Sequence, residues 1–134
     1  MIALDTNILV RFLVDDDRLQ ADIASDLVNH PEGIFIAKTT LLELEWVLRH
    51  VYEVDKKTLA AGLTSLLGLP NAMVESVSQV AEAMKGFSKG MDFADALHLA
   101  STHGAMLTYT FDKKFAKLVT PERVVLASRK TTAF

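Results

Sequence analysis

Short apolar runs alternate along this chain with longer stretches in which apolar residues recur at helical spacing. Ile2-Ala3-Leu4-Asp5 reads as a strand ending in an acid, and Thr6 or Asn7 is placed to cap a helix carrying Ile8, Leu9, Phe12 and Leu13. Asp15-Asp16-Asp17 marks a break. A second helix is expected over 18–30, with a stripe of Leu19, Ile23 and Leu27 beside Ala24 and Val28, closed by Pro31-Glu32-Gly33. The β-branched run at 34–37 predicts a second strand, and Thr39 or Thr40 begins a helix carrying Leu41, Leu44, Leu48, Val51 and Tyr52. Asp55 opens another helical stretch with Leu59, Leu63, Leu66 and Leu67, stopped between Gly68 and Pro70.

Met73-Val74-Glu75 is a weaker strand signal, and 77–87 has helical spacing through Val77, Val80, Ala81, Met84 and Phe87. A helix is predicted over 92–102 and is closed by Gly104. Strands follow at 105–108 and 124–126, with Asp112 between them. Strands alternating with helices predict an α/β fold with a mostly parallel sheet covered on both faces. No repeat or linker interrupts the 134 residues, so one domain over 1–134 is expected.

Composition narrows the chemistry. Half of the chain is apolar and there is no cysteine, which removes disulfides, thiolate nucleophiles and cysteine-based metal sites. Ile2-Ala3-Leu4 meets Asp5 at once, unlike a signal peptide, and no apolar run is long enough to span a bilayer, so a cytoplasmic protein is expected. The net charge of −3 argues against a coat of positive charge around nucleic acid but leaves room for an acidic catalytic centre. A P-loop is absent, Asp5-Thr6-Asn7 lacks the second acid of an Asp-x-Asp phosphohydrolase, and the acids and lysines do not follow a receiver-domain arrangement.

The acids carry the functional signal through their positions. Asp5 and Asp112 each follow a predicted strand, where functional groups of a parallel sheet gather. Glu43 lies in what is expected to be the first turn of a helix, and Asp92 and Asp95 share a helix face. Converging carboxylates suit a hard cation such as Mg²⁺ or Mn²⁺, which would activate water against a phosphodiester. Direct or bridging contacts are assigned to Asp5 and Asp95, a direct or water-mediated one to Glu43, and a second, weaker position to Asp112. Each acid also has a structural use: Asp5 and Asp92 as helix caps, Glu43 as half of a Thr40-x-x-Glu43 capping box, Asp95 on a helix dipole, Asp112 as a turn residue.

Four segments together resemble the acidic motifs of PIN-domain proteins, specifically VapC-type toxin ribonucleases of toxin–antitoxin pairs. They are Ile2-Ala3-Leu4-Asp5-Thr6-Asn7, Thr39-Thr40-Leu41-Leu42-Glu43-Leu44, Phe93-Ala94-Asp95-Ala96-Leu97-His98 and Leu107-Thr108-Tyr109-Thr110-Phe111-Asp112. The resemblance implies a three-layer α/β/α sandwich and a Mg²⁺- or Mn²⁺-dependent endoribonuclease, commonly dimeric and held inactive by a cognate antitoxin. DNA would be contacted only through that antitoxin. Asp95 best matches the third acid, with Asp92 an accessory ligand, water-positioning group or cap. Thr6 and Asn7 are expected to orient Asp5, and Thr110 to help position Asp112.

Outside the acids, Arg11, Lys38, Arg49, Lys113, Lys114 and Lys117 are candidates for RNA phosphates. His98 reads as semi-buried and His103 as a cation near a helix C-terminus. Trp46, Phe12, Tyr52 and Leu48 either pack inside the monomer or meet a second subunit or antitoxin helix. The competing function is a catalytically weak PIN-like protein that acts mainly through protein partners.

Overall fold

The N-terminal apolar run forms strand β1 (Ile2–Ala3), and Asp5 turns the chain into helix α1 (Thr6–Leu13). In this computed structural model, residues 1–102 and 106–133 are described, so expectations at His103, Gly104 and Ala105 lie outside the described residues. The chain divides into two compact units, Met1–Val77 and Ser78–Phe134. No helix of the described residues is long and apolar enough to cross a membrane.

The first unit continues through α2 (Arg18–Val28), β2 (Ile34–Ile36), α3 (Lys38–His50), α4 (Lys56–Leu67) and β3 (Ala72–Val74). Its three strands pair in parallel in the order β1-β2-β3, with Ile2 opposite Ile34 and Ile34 opposite Ala72. Leu9, Ile34, Ile36, Leu41, Leu44, Leu59, Leu63 and Leu66 are fully buried, a leucine-rich core laid down by the helical spacing of α1, α3 and α4. Gly33 leads into β2 at φ +87°, and a Cβ there would stand 2.8 Å from Asn71 O, so glycine is required by both backbone and space.

Three expectations change in this unit. On α2 only Ala24 and Val28 are buried, while Leu19 and Ile23 are 71% and 50% exposed. The small residues give the closer approach, so the narrower stripe is the one that packs. Asp5 itself, rather than Thr6 or Asn7, caps α1. Helix α3 starts at Lys38, ahead of Thr39 and Thr40, with no side-chain cap of its own. Instead Glu75 Oε1, just after β3, accepts from the Lys38 backbone N–H at 2.8 Å. That earlier start dissolves the Thr40–Glu43 capping box and moves Glu43 beyond the first turn.

The second unit takes up α5 (Val77–Ser88) from its second residue, then α6 (Phe93–Ser101), β4 (Thr108–Thr110), α7 (Lys113–Leu118) and β5 (Val124–Leu126). Strands β4 and β5 pair in parallel, Thr108 opposite Val124. Phe93 is 1% exposed and meets the Phe87 ring edge-on at 5.6 Å, fixing α6 against α5. The strand expected at 105–108 instead pairs at Thr108–Thr110. Met106 and Leu107, apolar but 56% and 51% exposed, stay outside the ladder. All the described ladders are parallel, as the alternation of strands and helices predicts, and they form a three-stranded and a two-stranded sheet.

Candidate active site

Asp5 sits where the apolar β1 ends and α1 begins, so the fold holds it at a strand's carboxyl end. Its Oδ1 accepts from the Thr6 backbone N–H at 2.7 Å. The orienting contact expected from Thr6 therefore comes through the main chain. Asp5, Thr6, Asn7, Arg11 and Glu43 line one cavity of about 260 Å³, which Tyr52 and Val51 also border. Two carboxylates thus share a concave, half-apolar space in the first unit, with Arg11 on its wall. The Arg11 guanidinium is bound by Asp16, which raises its proton affinity further.

In the second unit Asp92, Asp95, Asp112 and Lys114 line a smaller cavity of about 60 Å³ with Met91, Phe115 and Leu118. Asp92 Oδ1 caps α6 through the Asp95 N–H at 3.1 Å, and Asp112 Oδ1 caps α7 through the Phe115 N–H at 3.1 Å. Thr110 Oγ1 accepts from the Asp112 backbone N–H at 2.9 Å, which fixes the turn that carries the carboxylate. Asp95 has no capping duty. Partial burial pushes its carboxyl up from the ordinary range, and the charges of Asp92 and Asp112 add to that rise, while His98 opposes it.

A capping acid and a functional acid are not exclusive. The caps at Asp5 and Asp112 each engage one carboxylate oxygen, orient the side chain and leave the second oxygen outside the cap. Asp55 gives the contrast: backbone and hydroxyl bonds from Thr58 lower its carboxyl, so it is satisfied as a cap. Asp95 is under the opposite pressure, the condition that a nearby cation relieves.

Among the described residues no three Asp, Glu or His groups stand close enough to hold a metal ion as placed. The donor chemistry nonetheless fits a hard divalent cation: the candidate ligands offer oxygen alone, and Mg²⁺ commonly keeps several waters between sparse carboxylates.

Other expectations resolve individually. Lys38 and Lys113 line neither cavity. His98 is exposed rather than semi-buried, because the buried stripe of α6 runs through Ala96, Leu97, Leu99 and Ala100. Trp46 is 53% exposed and meets the His50 ring at a 37° tilt, 4.8 Å between centroids, so it is not core. Sequence reasoning passed over Glu45, which is 1% exposed and held by Arg49 Nε at 2.7 Å; the Glu–Arg spacing of one helical turn was the available signal. Tyr52 as a wall of the Asp5–Glu43 cavity had no sequence signal.

The family model for the PIN domain matches residues 2–120. Comparison with curated proteins returns no match. PIN domains are generally nucleases, and the parallel strands and seven helices among the described residues are consistent with a PIN-like α/β/α sandwich. The match spans all four acidic motifs and most of the chain, and the chain belongs to the PIN-domain family.

Proposed function

We propose that the chain is a Mg²⁺- or Mn²⁺-dependent endoribonuclease and the toxin of a toxin–antitoxin pair, working as one catalytic domain over 1–134. The observation that carries this reading is the PIN-domain match over residues 2–120, which spans the four acidic motifs; the cavity that Asp92, Asp95 and Asp112 line together, with the Asp95 carboxyl raised by burial and by the other two charges, supports it. Asp5, Glu43, Asp95 and Asp112 are its proposed metal ligands, with Asp92 accessory.

A divalent cation held by these oxygens would supply an acidified water and would neutralise charge on the phosphodiester. The chain's own residues do the rest. Caps on Asp5 and Asp112 hold the carboxylates in orientation before RNA arrives, and the Thr110 hydroxyl locks the Asp112 turn. Lys114, on the wall of the Asp95 cavity, draws a phosphate toward the acids, with Lys113 beside it in sequence. Phe111, 86% exposed immediately before Asp112, offers a face on which an unpaired base can stack.

The proposed compartment is the cytoplasm, and the proposed partners are a cognate antitoxin and a second copy of the chain. Exposed Trp46 and Val51 on and just after α3 support a protein-facing surface there. DNA contact is assigned to the antitoxin.

Cleavage of a ribo-oligonucleotide by the purified protein, with Mg²⁺, Mn²⁺ or EDTA, tests the reading. Cleavage that needs the ion, spares the matching DNA and is lost in Asp5→Asn and Asp95→Asn is expected. Activity that survives EDTA or persists in both variants overturns it. Induced expression is expected to arrest growth for the wild type and not for Asp95→Asn; equal growth of the two removes the toxin assignment.

A further inference from the structure

We infer that the second unit holds a phosphate-binding site distinct from its acids, built by Lys85, Lys89 and Arg123. These three cations line a cavity of about 290 Å³. Lys85 in the last turn of α5 and Lys89 just after the helix are both exposed, and Arg123 immediately precedes β5. Glu82 is the one acid among the described lining residues, so three positive charges against one negative leave a net of +2.

Arg123 shows what is wanted there. Its Nη1 donates to Glu82 Oε1 at 3.0 Å and its Nη2 makes only a long contact, 3.4 Å, to Leu99 O. Its Nε is buried with no hydrogen-bond partner. An unmet buried donor on a charged group is costly, and native proteins rarely keep one without a use. A tetrahedral phosphate has enough oxygens to accept from a guanidinium and from two ammonium groups at once, and its charge matches the net +2. A lone carboxylate would leave part of that charge unanswered.

The rest of the cavity identifies the carrier of the phosphate. Its wall is mainly apolar, through Met91, Leu99 and Leu118, which suits the flat face of a nucleoside better than a free inorganic ion. Met91 and Leu118 also border the Asp92–Asp95–Asp112 cavity, so the two spaces share a wall. The ligand chemistry is therefore a nucleotide phosphate, either of a free mononucleotide or of an RNA strand; only the second source rests on the nuclease reading.

Calorimetric titration of the full chain with inorganic phosphate and with 5′-AMP tests this. Saturable binding is expected, tighter for AMP, and weakened about tenfold in Lys85→Gln/Lys89→Gln, whose exposed positions leave the fold intact. Glu82→Gln is expected to bind AMP more tightly, because it releases the guanidinium, a gain that a merely structural ion pair would not give. Displacement of AMP by an uncleavable ribo-oligonucleotide assigns the site to the RNA strand, and resistance to displacement assigns it to the free nucleotide. Absence of saturable binding to the wild type, or unchanged affinity in the double lysine variant, overturns the site, whether or not the protein cleaves RNA.

Discussion

Asp92 Oδ1 accepts from the backbone N–H of Asp95 at 3.1 Å, so the carboxylate that starts α6 stands beside the one whose ionisation it opposes. Burial is the larger cause, and Asp112 adds to both. Because the folded carboxyl holds its proton more tightly than the unfolded one, the native state binds more protons between the two values. Stability therefore falls as pH rises through that interval, and the penalty is complete above the raised value. Asp95→Asn removes it. Melting at about pH 8 is expected to rise by on the order of 1 °C, small because the side chain is still partly wet, with no gain near pH 3 where both states are protonated. Cleavage is expected to vanish. A variant that melts lower at pH 8 than the wild type contradicts the assignment of Asp95 as a strained acid.

Asp92 separates capping from charge. Asn keeps the cap and loses the charge, while Ala loses both. In Asp92→Asn the acid limb of the cleavage profile is expected to move to lower pH, since one cause of the raised Asp95 is gone. Asp92→Ala is expected to shift the limb similarly and to lose about 1 kcal/mol of stability with the cap. Profiles of wild type and Asp92→Asn that superimpose would place Asp92 outside the chemistry.

Much of this was legible because its causes are local. Asp55 and Gly68 bound α4 with residues adjacent to it, and the leucines of α3 and α4 face the core at their own period. The start of α3 was not legible, because its cap is Glu75, separated from Lys38 by 37 positions. On α2 two apolar stripes were written into one helix, and only packing chose Ala24 and Val28 over Leu19 and Ile23. At the site, motif order pointed to Asp5 and Glu43, which do share a cavity. The Arg123–Glu82 pair, 41 positions apart, depends on tertiary contact and left no pattern to read.

Glu45 is 1% exposed on α3, and Arg49 one turn later engages both its carboxylate oxygens at 2.7 and 3.1 Å. Removing the arginine strips a buried carboxylate of a two-pronged partner. Arg49→Leu is expected to lower the unfolding free energy in urea by about 2 kcal/mol, below the ~3–5 kcal/mol of a fully buried pair because Arg49 is itself 39% exposed. Arg49→Leu in a Glu45→Leu background is expected to cost much less, since no buried charge remains. Equal costs in the two backgrounds would show that the pair is not coupled.

Arg11 lines the Asp5–Glu43 cavity while its guanidinium is bound by Asp16. The neighbouring carboxylate keeps Arg11 charged but competes for the donors that an RNA phosphate would use. Both side chains are part-exposed, 30% and 45%, so the pair is easily exchanged for a phosphate. Asp16→Asn removes the competing charge and leaves the Asp17 cap of α2 in place. The KM for a ribo-oligonucleotide is expected to fall about two- to threefold with kcat unchanged, the scale of one exposed ion pair. The difference is expected to shrink as salt rises, because exposed charges are screened. Arg11→Gln is expected to raise KM. If Asp16→Asn leaves KM where it was while Arg11→Gln only lowers the melting temperature, Arg11 serves the fold and not the substrate.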